Sequence, residues 1–449
     1  MGRRMSPADA AWYRGDTERN RLLISSLVWL DGPLEVDEWR TRVQERVLDR
    51  HPAFRQRIVP SRIPGRLPRW EDVDDLDLDD HVRVVDLPAP GDHPLLEARC
   101  SLERSTPLDR DRPLWSATIY RGYRGQGTAI HTRMHHSLGD GIALMRVFLT
   151  LVDEQDPGDP PLAEDRSLPQ VGGLLGLGRD AVRLAAGHVA HPGRVLDTAR
   201  QAASVAGQTA KVVLPEPVER QPLQGRPHGV QQMSWDPDGY PLEQVKAQSE
   251  RTGATVNDLL LAVVTGALRR ELEQRDALVA EVAVMMPVSL RDPSEPLPAH
   301  PGNRLGAVPI RLPVGLADPG ERLASLRAQT EKLKDSPVPL IVHTLLRGAS
   351  FTTPTIERQL LRFNQWRSTG VITNVPGPSG TLHVAGTRVA GSIGWGGLVG
   401  DLALSGAFVS LSGRVFPGFV TDTAVIEDSG RLLEHLREAW DEVVEVGAG

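Results

Sequence analysis

The 449-residue sequence predicts a mixed α/β (α+β) fold built as two lobes, and three observations carry that expectation. Strand-like and helix-like patterns alternate over the first 153 residues. Proline and acidic residues then crowd 154–171, EQDPGDPPLAEDRSLPQV, and interrupt the pattern. The alternation resumes after residue 229. The expected organisation is an N-terminal lobe over 1–160, a partly helical crossover linker over 161–228 and a C-terminal lobe over 229–449. A chain of this length can bury a core in each lobe.

Along the first lobe, strands are expected at 25–32 (SSLVWLDG), 54–61 (FRQRIVPS), 81–88 (HVRVVDLP), 115–122 (WSATIYRG) and 128–136 (TAIHTRMHH), where β-branched or alternating apolar residues gather. Between them, PLEVDEWRTRVQERVLDRHP and HPLLEARCSLERS carry helical spacing, and the acidic EDVDDLDLDD before His81 reads as a solvated loop. Residues 172–213 are small and apolar with scattered arginines, as one or two crossover helices would be. Arg179, Arg183, Arg194, Arg200 and Lys211 outnumber Asp180 and Asp197 there, so this weakly basic segment either packs on the protein or lies on an anionic membrane surface.

In the second lobe TVNDLLLAVVTGALRRELEQR predicts a strong helix, EVAVMMPVSLR and GAVPIRLPV buried strands, and 319–368 long helices. Strands follow at TGVITNVPG and DLALSGAFVSLSGRVFPGFV, Gly394-Trp395-Gly396 reads as a turn, and DSGRLLEHLREAWDEVVEV closes as a helix.

A net charge of −7 and only 4% aromatic residues argue against a broad basic face, so nucleic acid is not an expected partner. The single cysteine, Cys100, excludes an internal disulfide and fits a reducing compartment. Its helical setting favours a small packed side chain over a nucleophile. The opening MGRRMSPADAAWYRG has no apolar core of a signal peptide, and no run of 18 apolar residues occurs. MGRRMS fits a myristoylation pattern, but the arginine, alanine, proline and glycine bias suggests a bacterial chain, where that modification is not expected.

The chemistry concentrates in IHTRMHHSLGDGIALM, residues 130–145. On a strand His135 and His136 point to opposite faces, while His131 and His135 share a face about 13 Å apart. No Cys or Glu and only Asp140 stands nearby to complete a tetrahedral set, so no metal is expected. One histidine can then be presented at the strand end while its neighbour is fixed within the lobe. That makes His136 a candidate general base and His135 its structural partner, against the plainer reading of two histidines without chemistry. Asp140 precedes GIALMRVFLTLV and is either the N-cap of that helix or the partner of an arginine bracing the loop.

HHSLGDG (135–141) fits the HHxxxDG signature of the acyltransferases built like chloramphenicol acetyltransferase, which include wax ester synthase/diacylglycerol acyltransferases and condensation domains. SPADAAWY, HPAFRQRI, DLDDHVRVVDLPAPG, Pro113-Leu114-Trp115, Asn257-Asp258, PVSLR (287–291) and Asn374-Val375-Pro376-Gly377-Pro378 fall in family order. Over residues 6 to 378 the chain resembles the bacterial wax ester synthase/diacylglycerol acyltransferase family. It departs after residue 400, where LALSGAFVSLSG lacks the Asn and Tyr of a pattern like LNIT…SYAG, which marks the acceptor pocket as divergent.

The resemblance implies two chloramphenicol acetyltransferase-like lobes, each a mixed sheet with helices, and an interdomain tunnel with His136 near its middle. It implies acyl transfer from acyl-CoA, a co-substrate with no further cofactor, to diacylglycerol or a long-chain fatty alcohol, giving triacylglycerol or wax esters. A thioester is already activated and no Gly-x-Ser-x-Gly elbow is present, so direct attack assisted by His136 suffices. Backbone N–H groups near Gly139 and Gly141, or the Asn257 amide, are the expected oxyanion donors, with Asn257 equally readable as a helix-end residue. Pro113, Trp115 and Asn374 are expected as structural support and Arg291 as the partner of Asp140. The expected location is cytoplasmic, with a peripheral contact to the inner membrane or lipid inclusions. Two rivals stay open: a condensation-type acyltransferase using a carrier-protein thioester, and a non-catalytic lipid-binding protein of the same fold.

Overall fold

The computed structural model describes residues 2–63, 66–153, 223–292, 295–333, 338, 339, 343 and 368–446. The expected crossover helices, and most of 334–367, lie outside the described residues. The first half supplies β1 (Arg3–Arg4), α1 (Pro7–Gly15), β2 (Leu23–Leu30), α2 (Val36–Arg42), β3 (Gln56–Val59), β4 (Arg69–Asp72), β5 (Val82–Asp86), α3 (His93–Arg104), β6 (Trp115–Tyr123), β7 (Gly127–His135) and α4 (Gly141–Leu149). The second supplies β8 (Gln231–Trp235), β9 (Tyr240–Pro241), α5 (Leu242–Thr252), α6 (Val256–Gln274), β10 (Val282–Ser289), β11 (Leu305–Leu312), α7 (Pro319–Leu333), β12 (Gly370–Pro376), β13 (His383–Val384), β14 (Thr387–Trp395), β15 (Leu404–Leu411), β16 (Arg414–Asp422) and α8 (Ser429–Glu445).

These elements form two lobes, each a mixed sheet with helices. The first sheet runs β13-β14-β2-β7-β6-β5, and the second β11-β10-β12-β15-β16-β8, with β9 added to β16. A small sheet, β1-β4-β3, lies beside the first and takes Glu71 and Asp72 of the acidic run into β4.

Local chemistry explains the boundaries. Thr255 and Asp258 close a capping box on α6. Asp428 accepts from the N–H groups of Gly430 and Arg431 at the start of α8. Ser412 and Gly413, both at positive φ, make the two-residue turn between β15 and β16. Leu260, Val264, Ala267 and Leu268 of α6 pack with Leu432 and Leu436 of α8 into the second lobe's core, each large apolar side chain worth about 1.5–3 kcal/mol on burial. Cys100 is fully buried on α3 and burial pushes its thiol up, the setting of a packed side chain.

One strand departs from expectation. Gly394-Trp395-Gly396 was expected as a turn, but 387–395 forms β14, antiparallel to β2 with Trp395 opposite Ser25. Together with β13 it crosses from the second half to complete the first sheet, so the sheets do not divide at residue 228. Gly391 is required for a steric reason: a Cβ there would sit 2.3 Å from Cζ2 of Trp29. Arg104 secures the crossing. Fully buried, its guanidinium donates to Gln231 Oε1, Ser25 Oγ and the Gly396 carbonyl, joining α3 to both halves.

Candidate active site

Between the two sheets lies a cavity of about 270 Å³ with predominantly apolar walls. Ala11 and Trp12 of α1, Ile24 and Val28 of β2 and Phe148 of α4 line it from the first half. Met285 of β10, Val371 of β12 and Val409 of β15 face them. Met134 and His136 also line it, whereas His135 does not. The twofold alternation of β7 separates the two histidines as expected, with His136 just past the strand in a single 3-10 turn, His136–Leu138.

His136 is buried, and its Nδ1 lies 2.9 Å from Asn303 Oδ1. The indole of Trp12 stacks on the imidazole, ring centroids 3.8 Å apart and planes within 5°. Burial pulls His136 down to about 4, against smaller upward effects of its own carbonyl, Asp140 and Asn303. The ring is therefore neutral at pH 7 and can accept a proton. Its neighbour His135 is held elsewhere: Nδ1 takes the Ser137 N–H at 3.1 Å, and Nε2 points toward Asp16 Oδ2 at 3.9 Å.

Asp140 is fully engaged in holding the loop. One oxygen accepts the Ala143 N–H at 2.9 Å as N-cap of α4. The other accepts the Arg304 N–H at 2.8 Å and Arg291 Nε at 3.2 Å. Arg291 also donates to the Pro301 and Gly302 carbonyls, so N-cap and arginine pairing coexist. Gly139 forms an isolated parallel bridge with Gly302, and the Pro301 Cβ lies 3.3 Å from where a Cβ on Gly139 would be. The histidine-bearing loop is thus clamped by Arg291 and residues 301–304 from the second half.

The remaining expected residues separate. Gly141 lines the cavity at the first turn of α4, where N–H groups lack partners within the helix. Asn257 is not brought there. Its amide contacts Met286 Sδ at 3.3 Å, and Met286 belongs to the core that α6 packs against. As a donor near His136 it is therefore set aside, and the helix-end reading describes its position.

Pro113 is buried and Trp115 sits opposite Met134 with its Nε1 donating to the Phe54 carbonyl, bracing β7 from beneath. Asn374 lies on β12 in the cavity wall with Oδ1 buried and unpartnered among the described residues. Among those residues no group of three or more His, Cys, Asp or Glu is placed to hold a metal. No described helix is long and apolar enough to cross a membrane.

Residues 5–260 match the wax ester synthase/diacylglycerol acyltransferase catalytic domain, and 301–443 match the C-terminal domain of the same family. The chain belongs to the wax ester synthase/diacylglycerol acyltransferase family. It is accordingly an acyltransferase. Two Mycobacterium tuberculosis relatives carry provisional diacylglycerol O-acyltransferase names. One is 27% identical over 473 residues, covering 99% of this chain and 92% of its own. The other is 28% identical over 466 residues, covering 98% and 97%.

The wax ester synthase/diacylglycerol acyltransferase of Marinobacter aquaeolei VT8 superposes with a TM-score of 0.69 at 24% identity, over 99% of this chain and 100% of that one. The first condensation domain of the calcium-dependent antibiotic synthetase gives 0.61 at 16%, over 100% and 96%. These likenesses establish the shared two-lobed fold.

Three residues of this family member's site were missed by sequence reasoning. Trp12 and Asn303 touch His136, and Asp9 is hydrogen-bonded to Asn303. Asp9 and Trp12 sit inside SPADAAWY, which was read only as a family marker, and Asn303 sits in PGNRLG, which looks like an ordinary turn. An Asn immediately after a Pro-Gly step and two residues before a strand was the available signal.

Proposed function

We propose that this protein is an acyl-CoA-dependent O-acyltransferase that moves a fatty acyl group to diacylglycerol or a long-chain alcohol, with His136 as general base and no acyl-enzyme. The observation that carries the proposal is a neutral, buried imidazole in the wall of an apolar cavity between the lobes. His136 Nε2 takes the hydroxyl proton as the alcohol oxygen attacks the thioester carbonyl. The C–S bond of the tetrahedral intermediate then breaks, and the proton passes to the departing thiolate. The Gly141 N–H, at the head of α4, would share the oxyanion's charge. Apolar walls suit fatty chains and exclude water that would otherwise hydrolyse the thioester. The protein works in the cytoplasm, at the surface of the inner membrane or of lipid inclusions, where both lipid substrates are found.

An acceptor panel tests this. Purified protein with palmitoyl-CoA and either hexadecanol or diacylglycerol should give ester and free CoA in equal amounts. Absence of transfer to every lipid alcohol, together with transfer from an acylated carrier protein, would overturn the donor and acceptor assignment.

A further inference from the structure

We infer that Asp9 and Asn303 act as a positioning pair that holds His136 in a single tautomer, protonated at Nδ1 and bare at Nε2. The inference rests on the reading of His136 as general base and adds what keeps that base ready. Asn303 donates Nδ2 to Asp9 Oδ1 at 2.9 Å and to the His136 carbonyl at 2.8 Å, and its own N–H reaches Asp9 Oδ1 at 3.0 Å. The His136 carbonyl can only accept, and Asp9 Oδ1 already takes the Asn303 N–H, so both amide hydrogens point at acceptors. Turning the amide over would set its oxygen against a carboxylate and a carbonyl, so the orientation is forced by the network.

With Nδ2 so committed, Oδ1 faces His136 Nδ1 at 2.9 Å and can only accept. Nδ1 must carry the hydrogen, and Nε2 keeps the lone pair. The His136 carbonyl, a second acceptor close to Nδ1, is itself held by Asn303. Ser6 Oγ donates to the other oxygen of Asp9 at 2.6 Å, which fixes the carboxylate in turn.

The pair spans the lobes. Asp9 lies on α1, and Asn303 follows Gly302, whose φ of +59° and 3.4 Å gap between a would-be Cβ and Asp9 Oδ2 leave little room for any other residue. His136 thus gains its tautomer only when residues 301–304 are seated on the first lobe. Other titratable or charged groups around it are His135 and Asp140 on its own segment, Arg291 behind Asp140, and His343 across the cavity.

The test combines 15N-histidine NMR with kinetics, using His136→Gln to assign the His136 signals. The wild type should show a protonated Nδ1 and a pyridine-type Nε2. Asn303→Ala should mix the two tautomers and lower kcat by about 10²-fold, the low end of what a placed base contributes, with KM for palmitoyl-CoA within about twofold. Asp9→Asn keeps an oxygen facing both Asn303 donors and turns its amide toward Ser6 Oγ, so it should retain the single tautomer and most of the kcat. Asp9→Ala removes that acceptor, and should mix the tautomers and lower kcat toward the Asn303→Ala level.

An unmixed tautomer with full activity in Asn303→Ala overturns the inference. So does an unmixed tautomer with full activity in Asp9→Ala, which also decides the matter if Asn303→Ala fails to fold. An active His136→Gln would instead overturn the general-base reading, whereas an inactive one beside a fully active Asn303→Ala removes only the positioning pair.

Discussion

A histidine in water titrates near 6.5, and His136 is drawn down to about 4 chiefly by its burial. Only the neutral ring can take a hydroxyl proton, so activity should survive acidification through 6.5 and fall as pH drops through about 4. A kcat/KM profile on palmitoyl-CoA, over a pH range where the fold persists, should place its acid limb there; a limb near 6.5 would mean a more hydrated base than the structure holds. Asp140 and Arg291 set a different prediction at this scale. Both side chains are about 5% exposed or less, and truncating one member of such a buried pair typically costs about 3–5 kcal/mol. Urea unfolding of Arg291→Met should show a loss of that order, and an unchanged midpoint would deny the clamp its structural weight. At this scale the adjacent histidines and Asp140 were legible because strand alternation and a helix start act over a few residues. Asp9 and Asn303 were not, since their meaning arises only when segments 294 positions apart meet.

Among the elements, β14 departs furthest from its sequence signal. Expectation caught the strands at 23–30, 115–123 and 127–135 because each carries an apolar or β-branched run. TRVAGSIGW has its inward positions partly occupied by glycine, which lowers strand propensity and resembles a turn. Gly391 admits Trp29 from β2 and Phe416 from β16 to the space a side chain would fill. Gly391→Val should therefore overpack the first lobe and lower its stability by roughly 1–3 kcal/mol or more, readable as a lower Tm or loss of soluble protein. A variant as stable as wild type would show that the crossing strand shifts freely. The hairpin of β15 and β16 was legible for the opposite reason, two apolar strands around a Ser-Gly turn.

For the whole molecule, two mixed sheets close on one apolar cavity, and the crossing strand and the clamp of Arg291 with residues 301–304 both join the halves around His136. A rupture between residues 154 and 171 and a resumed alternation were enough to expect two lobes. They could not reveal that one lobe lends the other two strands, because pairing between residues as distant as Ser25 and Trp395 leaves no local pattern. The departure after residue 400 falls on β15, whose Val409 and Leu411 help wall the cavity, so the acceptor side is where this chain should differ from its relatives.

The most direct measurement compares wild type and His136→Gln for ester formed and CoA released from palmitoyl-CoA with diacylglycerol or hexadecanol. The account predicts equal amounts of ester and CoA from the wild type, and a fall in kcat of about 10²–10⁴-fold in the variant with its fold intact. Undiminished transfer by His136→Gln would contradict it.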